Sequence, residues 1–388
     1  CLGSSGCRTR HCRPTQRSSA LASFYRPRLR CLVQATRRVV RLSGKLLGIF
    51  SDTLMASSKW KDYLLKSSLP LELRVAEAMG RSGFWVGGEY PYVRRNEEGR
   101  ETEFSVDVHA VYELNRGDRQ WGQWEVLLEC KYATPGVRWV FSPLPQVAEV
   151  LIGSIWVTED LSTHRIIDKT PLLKIDHDLP YCMKGIALHD SGFDPNSVTK
   201  GLNQLRYAMP QVVNQGMEGQ LSARHDEDLL VLLTTPILVT TADLRILRHD
   251  ITLNGFHNAD NLEDVTTEVD ALVAYQPLSP HLKEYASALH FESENDVELG
   301  DRVNRLASVL KTKGFEPHLL PSRWHARSSL TMSTERVLVV QFDALESYIS
   351  RLLEDISAAA ESVEHIAIMT YDVWRGGEEI SALPAEDA

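Results

Sequence analysis

Two neighbouring stretches of the chain alternate apolar and polar residues with the period of two that β-strands require. In residues 103–112, the even positions from 104 to 110 are apolar, whereas Asp107 belongs to the opposite, polar face. In residues 125–132, Glu129 and Lys131 share one face because they are two positions apart. The pattern therefore predicts two strands, each of which presents charged groups on one side.

Apolar residues spaced three or four apart predict two helices. The first begins after Ser67 or Ser68, either of which can cap it, and ends at Gly83. Its predicted apolar stripe consists of Leu69, Leu73, Ala76 and Met79. Glu77 falls outside this stripe. The second helix is expected over residues 198–214, with a kink at Pro210.

Further strands are predicted at residues 84–94, 229–233, 237–240 and 337–342. Together these elements indicate an α/β protein with a mixed sheet flanked by helices. Residues 55–245 are expected to form the core. Residues 246–375 are expected to form a C-terminal α/β elaboration packed on it, and residues 376–388 an acidic tail.

The charged faces of the two strands indicate a metal site. Two carboxylates and an ammonium are costly to bury without compensation, and a divalent cation would compensate them. Carboxylate oxygens suit Mg²⁺ or Mn²⁺, so Asp107 and Glu129 are the predicted metal ligands. Lys131 would orient or help to deprotonate an attacking water and offset charge on a phosphate. An ordinary salt bridge on the sheet surface is the alternative.

The run Glu129–Lys131, preceded by Asp107 on a strand and Glu77 on a helix, resembles the PD-(D/E)xK nuclease superfamily. The core of that family, the restriction-endonuclease-like fold, runs helix, three strands, helix, strand, and the resemblance covers about residues 68–240. It implies that Glu77, Asp107, Glu129 and Lys131 are catalytic. Val106 stands where the family name expects proline. An exposed ion pair with a neighbouring arginine is the alternative for Glu77.

The resemblance extends to the second helix, where the family often carries a glutamine and a tyrosine. Gln204 and Tyr207 match them and are expected to contact substrate together with Arg206, unless these side chains are simply solvated. Three more cations lie near the predicted site elements and would help to form a phosphate-binding groove: Arg94, Arg95 and Arg138. The run 321–327, which combines cations with Trp324, is a weaker candidate for the same role.

The first 54 residues have a different composition from the rest of the chain. They contain ten of its arginines and one acid, Asp52, whereas the rest of the chain has an excess of acidic residues. The whole chain has a net charge of −10. We expect translation to begin at Met55; a basic nucleic-acid-binding arm is the alternative. The acidity of the remainder argues against non-specific coating of DNA, although not against a local groove.

The remainder of the chain contains two cysteines, Cys130 and Cys182, which indicates a reducing compartment. No apolar stretch reaches the roughly 18 residues of a membrane span, so we expect a cytoplasmic protein. The predicted function is Mg²⁺-dependent endonuclease hydrolysis of DNA, in defence or repair. RNA is not excluded as a substrate, and the oligomeric state, which could be a homodimer, is left open. The alternative is a nuclease-fold module that binds nucleic acid or another partner without cleaving.

Overall fold

The computed structural model describes residues 59–95, 99–116, 119–144, 157–158, 179–221, 231–289 and 333–361, together with positions 301, 304, 305 and 308. The basic segment 1–54, the run 321–327 and the acidic tail 376–388 lie outside the described residues. In the described part, no helix is both long enough and apolar enough to cross a bilayer.

The described helices are α1 (Lys59–Lys66), α2 (Leu69–Arg81), α3 (Ser197–Leu221), α4 (Leu253–Asn258), α5 (Pro280–Ala288) and α6 (Leu345–Glu361). The strands are β1 (Trp85–Arg95), β2 (Glu101–Arg116), β3 (Arg119–Lys131), β4 (Arg138–Pro143), β5 (Val157–Thr158), β6 (Tyr181–His189), β7 (Gly192–Asp194), β8 (Val231–Thr240), β9 (Asp243–Leu247), β10 (Thr266–Glu268), β11 (Ala271–Tyr275) and β12 (Arg336–Gln341). The two apolar runs expected at residues 229–240 form one strand, β8.

The described strands form one mixed sheet in the order β1-β2-β3-β8-β12-β11-β6-β4-β9-β10, with β5 paired to β8 and β7 to β6. Strands β1, β2 and β3 are antiparallel, whereas β8 pairs with β3 in parallel. A parallel partner requires a crossover connection, and α3 lies within it. The expected α/β class, a mixed sheet flanked by helices, is thereby confirmed. The expected order of helix, three strands, helix, strand is present as α2, β1, β2, β3, α3 and β8, with residues 138–194 inserted before α3.

Helices cover both sides of the sheet. Helix α3 contributes Leu202, Leu205 and Met209 to one buried hydrophobic cluster, and α2 and α6 contribute to the other. The stripe predicted for α2 is wrong, since Leu69 and Leu73 are more than half exposed. The residues that α2 buries are Leu71, Val75, Ala78 and Met79. Two overlapping stripes compete in this sequence, and packing against β1 and β2 selects the second.

The C-terminal part of the chain completes the middle of the sheet. Strand β12 pairs with β8 on one side and with β11 on the other. The boundary expected at residue 245 falls inside β9. Residues after 245 are therefore structurally continuous with the preceding strands, because the same sheet passes through both parts.

Candidate functional site

Asp107 lies where β2 and β3 separate. Their ladder of paired residues ends at Val108 and Leu128, and beyond it the Asp107 carboxylate accepts a hydrogen bond of 2.7 Å from the backbone N–H of Cys130. Val106 packs into the hydrophobic cluster that contains α3, whereas Val108 packs into the cluster that contains α2 and α6. The buried side chains of β2 therefore switch from one cluster to the other at Asp107. The carboxylate is thus held against the segment that carries the other predicted site residues.

Glu129 and Lys131 project from β3 on the side covered by α3. The Glu129 side chain is fully buried, and its Oε1 accepts a hydrogen bond from the ammonium of Lys131, whose side chain is 28% exposed. The second carboxylate oxygen, Oε2, is also buried and has no hydrogen-bond partner among the described residues. An unpaired buried carboxylate oxygen is costly, and it provides a free ligand for a cation.

Burial disfavours the charged forms of both carboxyl groups. Desolvation, reinforced by the charge of Asp107, raises the pKa of Glu129 to about 8, although Lys131 and the nearby backbone N–H of Asp107 oppose the shift. Desolvation also raises the pKa of Asp107, while the hydrogen bond from Cys130 and the charge of Lys131 oppose the increase. A divalent cation would favour the ionised form of both groups.

Close packing of α3 fixes the position of Lys131. A Cβ atom added at Gly201 would lie 2.8 Å from Leu238 Cδ1 and 3.3 Å from Lys131 Cγ, so only glycine allows the helix to approach this closely. Thr240 Oγ1 donates a hydrogen bond of 3.0 Å to the backbone carbonyl of Lys131. Helix α3 thus packs against the aliphatic stem of Lys131, and β8 holds its backbone.

Glu72, which the sequence analysis did not select, lies beside these residues. Ser68 Oγ, at the start of α2, accepts a hydrogen bond of 3.3 Å from the backbone N–H of Tyr132, which places the first turn of the helix next to the end of β3. Desolvation and repulsion from Asp107 and Glu89 raise the pKa of Glu72 to about 7, with Lys131 opposing. Its side chain thus shares the electrostatic environment of the site.

Glu77 requires a correction. It lies on the exposed side of α2 and forms an ion pair of 2.8 Å with Arg74, as the alternative interpretation of the sequence allowed. Five residues correspond to about 140° around a helix, so Glu72 and Glu77 cannot serve the same face. The buried stripe that begins at Leu71 is the signal in the sequence that favours Glu72.

Two of the three predicted substrate-binding residues on α3 face β1 and β2. Gln204 Nε2 donates a long hydrogen bond of 3.4 Å to the carbonyl of Ser105, two residues before Asp107. The Tyr207 hydroxyl lies 2.8 Å from His281 Nδ1, and the Tyr207 ring faces the guanidinium of Arg94. Their assignment as substrate contacts remains a prediction.

Arg206 is not placed to bind substrate. Its side chain is buried, and its guanidinium donates hydrogen bonds to the carbonyls of Thr334, Gln276 and Pro277 and to the side-chain oxygen of Gln276. These donors join α3 to the segments before β12 and after β11, so Arg206 stabilises the fold. The sequence gives no indication of this role because the acceptors are distant backbone carbonyls.

No protein-family model, curated protein or solved structure matches this chain. Among the described residues, no group of three or more histidine, cysteine, aspartate or glutamate side chains is arranged to hold a metal ion. The carboxylates near the end of β3 therefore form a pair, Asp107 and Glu129. This pair matches the one or two protein carboxylates with which Mg²⁺ is commonly bound alongside water and substrate phosphate.

Proposed function

We propose that this chain is a metal-dependent nuclease of the PD-(D/E)xK type that hydrolyses phosphodiester bonds in DNA. The observation that carries the proposal is the buried, unpartnered Oε2 of Glu129, next to an ammonium and close to a second carboxylate where two strands part. A buried carboxylate oxygen without a donor is costly, and a bound cation would compensate it.

The residues present fit a Mg²⁺ or Mn²⁺ ion. Asp107 and Glu129 would hold it, with Asp107 already oriented by the N–H of Cys130. When bound, the ion would lower the pKa of an attacking water and polarise a phosphoryl oxygen. Burial raises the pKa of Glu129 in the metal-free pair, so metal and proton would compete for this carboxylate.

The chain's own residues have separable roles in this proposal. Lys131, whose stem packs against α3 and whose side chain is partly exposed, would contact the phosphate and position the water. Glu72 would accept a hydrogen bond from that water, because its pKa of about 7 keeps it close to half-ionised at neutral pH. Gln204, held near Ser105, would contact nucleic acid beside the site.

The fold class is consistent with the proposal. Helix α2, the antiparallel strands β1 to β3, helix α3 and the parallel strand β8 occur in the order expected for a restriction-endonuclease-like core. Asp107 and Glu129 lie on neighbouring strands of that set. The insertion and the strands added after β8 enlarge the sheet without separating these two residues.

A nuclease-fold binding module that does not cleave is the second candidate. The observation that favours it is the direct ion pair of Lys131 with Glu129, which occupies the ammonium that catalysis would require. The two candidates differ in their response to metal. A cleaving centre should be stabilised by Mn²⁺ by mass action, whereas a site without metal affinity should not respond.

The test combines activity with thermal unfolding. Wild type and Lys131→Met are incubated with Mg²⁺ or Mn²⁺ and plasmid, linear duplex or single-stranded DNA, and the same samples are unfolded with and without Mn²⁺. We expect cleavage by wild type only, because methionine keeps the aliphatic stem and removes the charge. Full activity of Lys131→Met would refute the catalytic assignment, and absence of both cleavage and a Mn²⁺ response in wild type would refute the nuclease.

A further inference from the structure

Arg94, on β1, is enclosed between two aromatic rings. Its guanidinium carbon lies 4.1 Å from the centre of the Phe104 ring on β2 and 4.3 Å from the centre of the Tyr207 ring on α3. Both distances are within the range of strong cation–π contacts. The guanidinium plane is thus held by stacking on two elements that also frame the candidate site.

The hydrogen-bond donors of Arg94 are unused within the described part of the chain. No carboxylate or carbonyl there accepts from this guanidinium, although Arg74, Arg81, Arg206, Arg245 and Arg248 all have such partners. Arg94 is half-buried, and none of its nitrogens is both buried and unsatisfied. Its donors therefore face solvent, so they are accessible to a ligand.

The surroundings of Arg94 are rigid. The carbonyl of the preceding residue, Val93, accepts hydrogen bonds from Gln211 Nε2 at 3.2 Å and from the Tyr285 hydroxyl at 3.1 Å. The Tyr207 ring meets the Tyr285 ring edge to face, with centres 5.3 Å apart. Backbone and side chain are both fixed before any ligand arrives, which lowers the entropy cost of binding.

Arg94 lies further along the same strands as the carboxylate pair, since it pairs with Thr102, five residues before Asp107 on β2. Tyr92, two residues earlier, stacks on Phe104 with ring centres 5.7 Å apart, and its phenol is buried. After desolvation, the charges that most affect the pKa of this phenol are Arg94, which lowers it, and Glu129, which raises it. One buried ring is therefore within electrostatic range of both the free guanidinium and the proposed metal ligand.

We infer that Arg94 is an anion-binding residue that receives a backbone phosphate of the substrate other than the phosphate that is cleaved. Its free, planar set of N–H groups suits bidentate contact with phosphate oxygens. The rings of Phe104 and Tyr207 are covered by the guanidinium, so they orient the cation instead of stacking on bases. The contact recognises the backbone and not the sequence. This inference rests on the proposed nuclease function.

The experiment measures binding without cleavage. Affinity for a fluorescent 20-base-pair duplex is determined in Ca²⁺ at several salt concentrations for wild type, Arg94→Gln, Arg94→Lys and Arg248→Gln. Arg248 is the control, since it carries the same charge, is exposed and follows β9, near the opposite end of the sheet from β1. We expect Arg94→Gln to weaken binding at least tenfold and to reduce the salt slope by about 0.9, the value of one duplex phosphate contact. Arg248→Gln should leave the slope unchanged.

Arg94→Lys controls for misfolding as the cause of weaker DNA binding. It keeps the charge but loses the planar guanidinium, so its affinity for DNA should lie between those of wild type and Arg94→Gln. A wild type that cleaves DNA while Arg94→Gln binds with unchanged slope would overturn the inference and leave the nuclease intact. Calorimetry with tripolyphosphate tests the anion site independently of DNA. If tripolyphosphate binds in an Arg94-dependent way to a protein that neither binds nor cleaves DNA, the anion site is retained and the nuclease function is refuted. If neither tripolyphosphate nor DNA binds, the anion site and the nuclease function are both refuted.

Discussion

The Asp107 carboxylate accepts a hydrogen bond from the backbone N–H of Cys130 across the opening between β2 and β3, at 2.7 Å. Backbone pairing between β2 and β3 ends at Val108 and Leu128, and beyond that point the Asp107 side chain takes the place of a backbone acceptor for the Cys130 N–H. One carboxylate oxygen thus has a structural role, and the other is available for a ligand. The position of the Asp107 carboxylate, the proposed metal ligand, is set by backbone geometry, so the buried Cys130 thiol is not required for it.

Asp107→Asn should separate these two roles. The amide oxygen still accepts from Cys130, so we expect a melting temperature within a few degrees of wild type, whereas loss of the charged oxygen should abolish Mn²⁺ stabilisation and cleavage. Thermal unfolding with and without Mn²⁺, together with a plasmid cleavage assay, measures both. Normal cleavage by Asp107→Asn would show that the proposed metal site is misplaced. Asp107→Ala, which also orphans the N–H, should be less stable than Asp107→Asn.

Glu72 and Glu77 form a matched pair on one helix. Glu72→Gln should lower cleavage by about 10- to 100-fold, the usual cost of losing a group that supports a metal centre from outside its ligand set. Glu77→Gln removes only an exposed ion pair and should change activity less than twofold. Steady-state cleavage rates of the two variants test this. The reverse order of effects would restore the expectation drawn from the sequence alone.

The pH dependence follows from the raised pKa values of Glu129, about 8, and Glu72, about 7. In the metal-free protein the folded state binds more protons than the unfolded chain between about pH 4.5 and 8. Because of this, these two groups should make the free energy of unfolding fall as pH rises through that range. Mn²⁺ must displace the proton, so its stabilising effect should grow up to about pH 8 and then level off.

Thermal unfolding from pH 5.5 to 9, with and without Mn²⁺, checks both trends. Glu129→Gln provides the control, since it cannot titrate and should lose most of the pH-dependent Mn²⁺ response. A Mn²⁺ effect in wild type that is equal at pH 6 and pH 8.5 would contradict the proposed competition.

Gly201 should tolerate no side chain. A Cβ there would lie 2.8 Å from Leu238 Cδ1 and 3.3 Å from Lys131 Cγ, so Gly201→Ala should cost about 1–3 kcal/mol and displace the lysine stem, lowering activity more than stability alone explains. Gly219→Ala is the matched control in the same helix, because its Cβ would meet nothing within 4 Å. It should stabilise the protein by up to about 1 kcal/mol. Denaturant unfolding measures the stability of both variants, and their cleavage rates test whether Gly201→Ala loses more activity than its loss of stability explains.

The sequence predicted the strands that carry Asp107, Glu129 and Lys131 because alternation along a half-buried strand is a local property. It failed on α2, where two apolar stripes overlap and only packing against β1 and β2 decides between them. It failed on Arg206 because the acceptors of that guanidinium are carbonyls 70 or more positions away. The aromatic enclosure of Arg94 joins three elements, so no local pattern could reveal it.

Strand β12 has a consequence for how the protein folds. It closes the gap between β8 and β11, although it follows them in the chain by about a hundred and by sixty residues respectively. During synthesis, both of those strands present unpaired backbone groups along one edge until β12 emerges. Such edges are prone to pair with other chains, and contacts of long sequence separation form slowly. The nascent chain therefore passes through an aggregation-prone stage that ends only when its last described strand arrives.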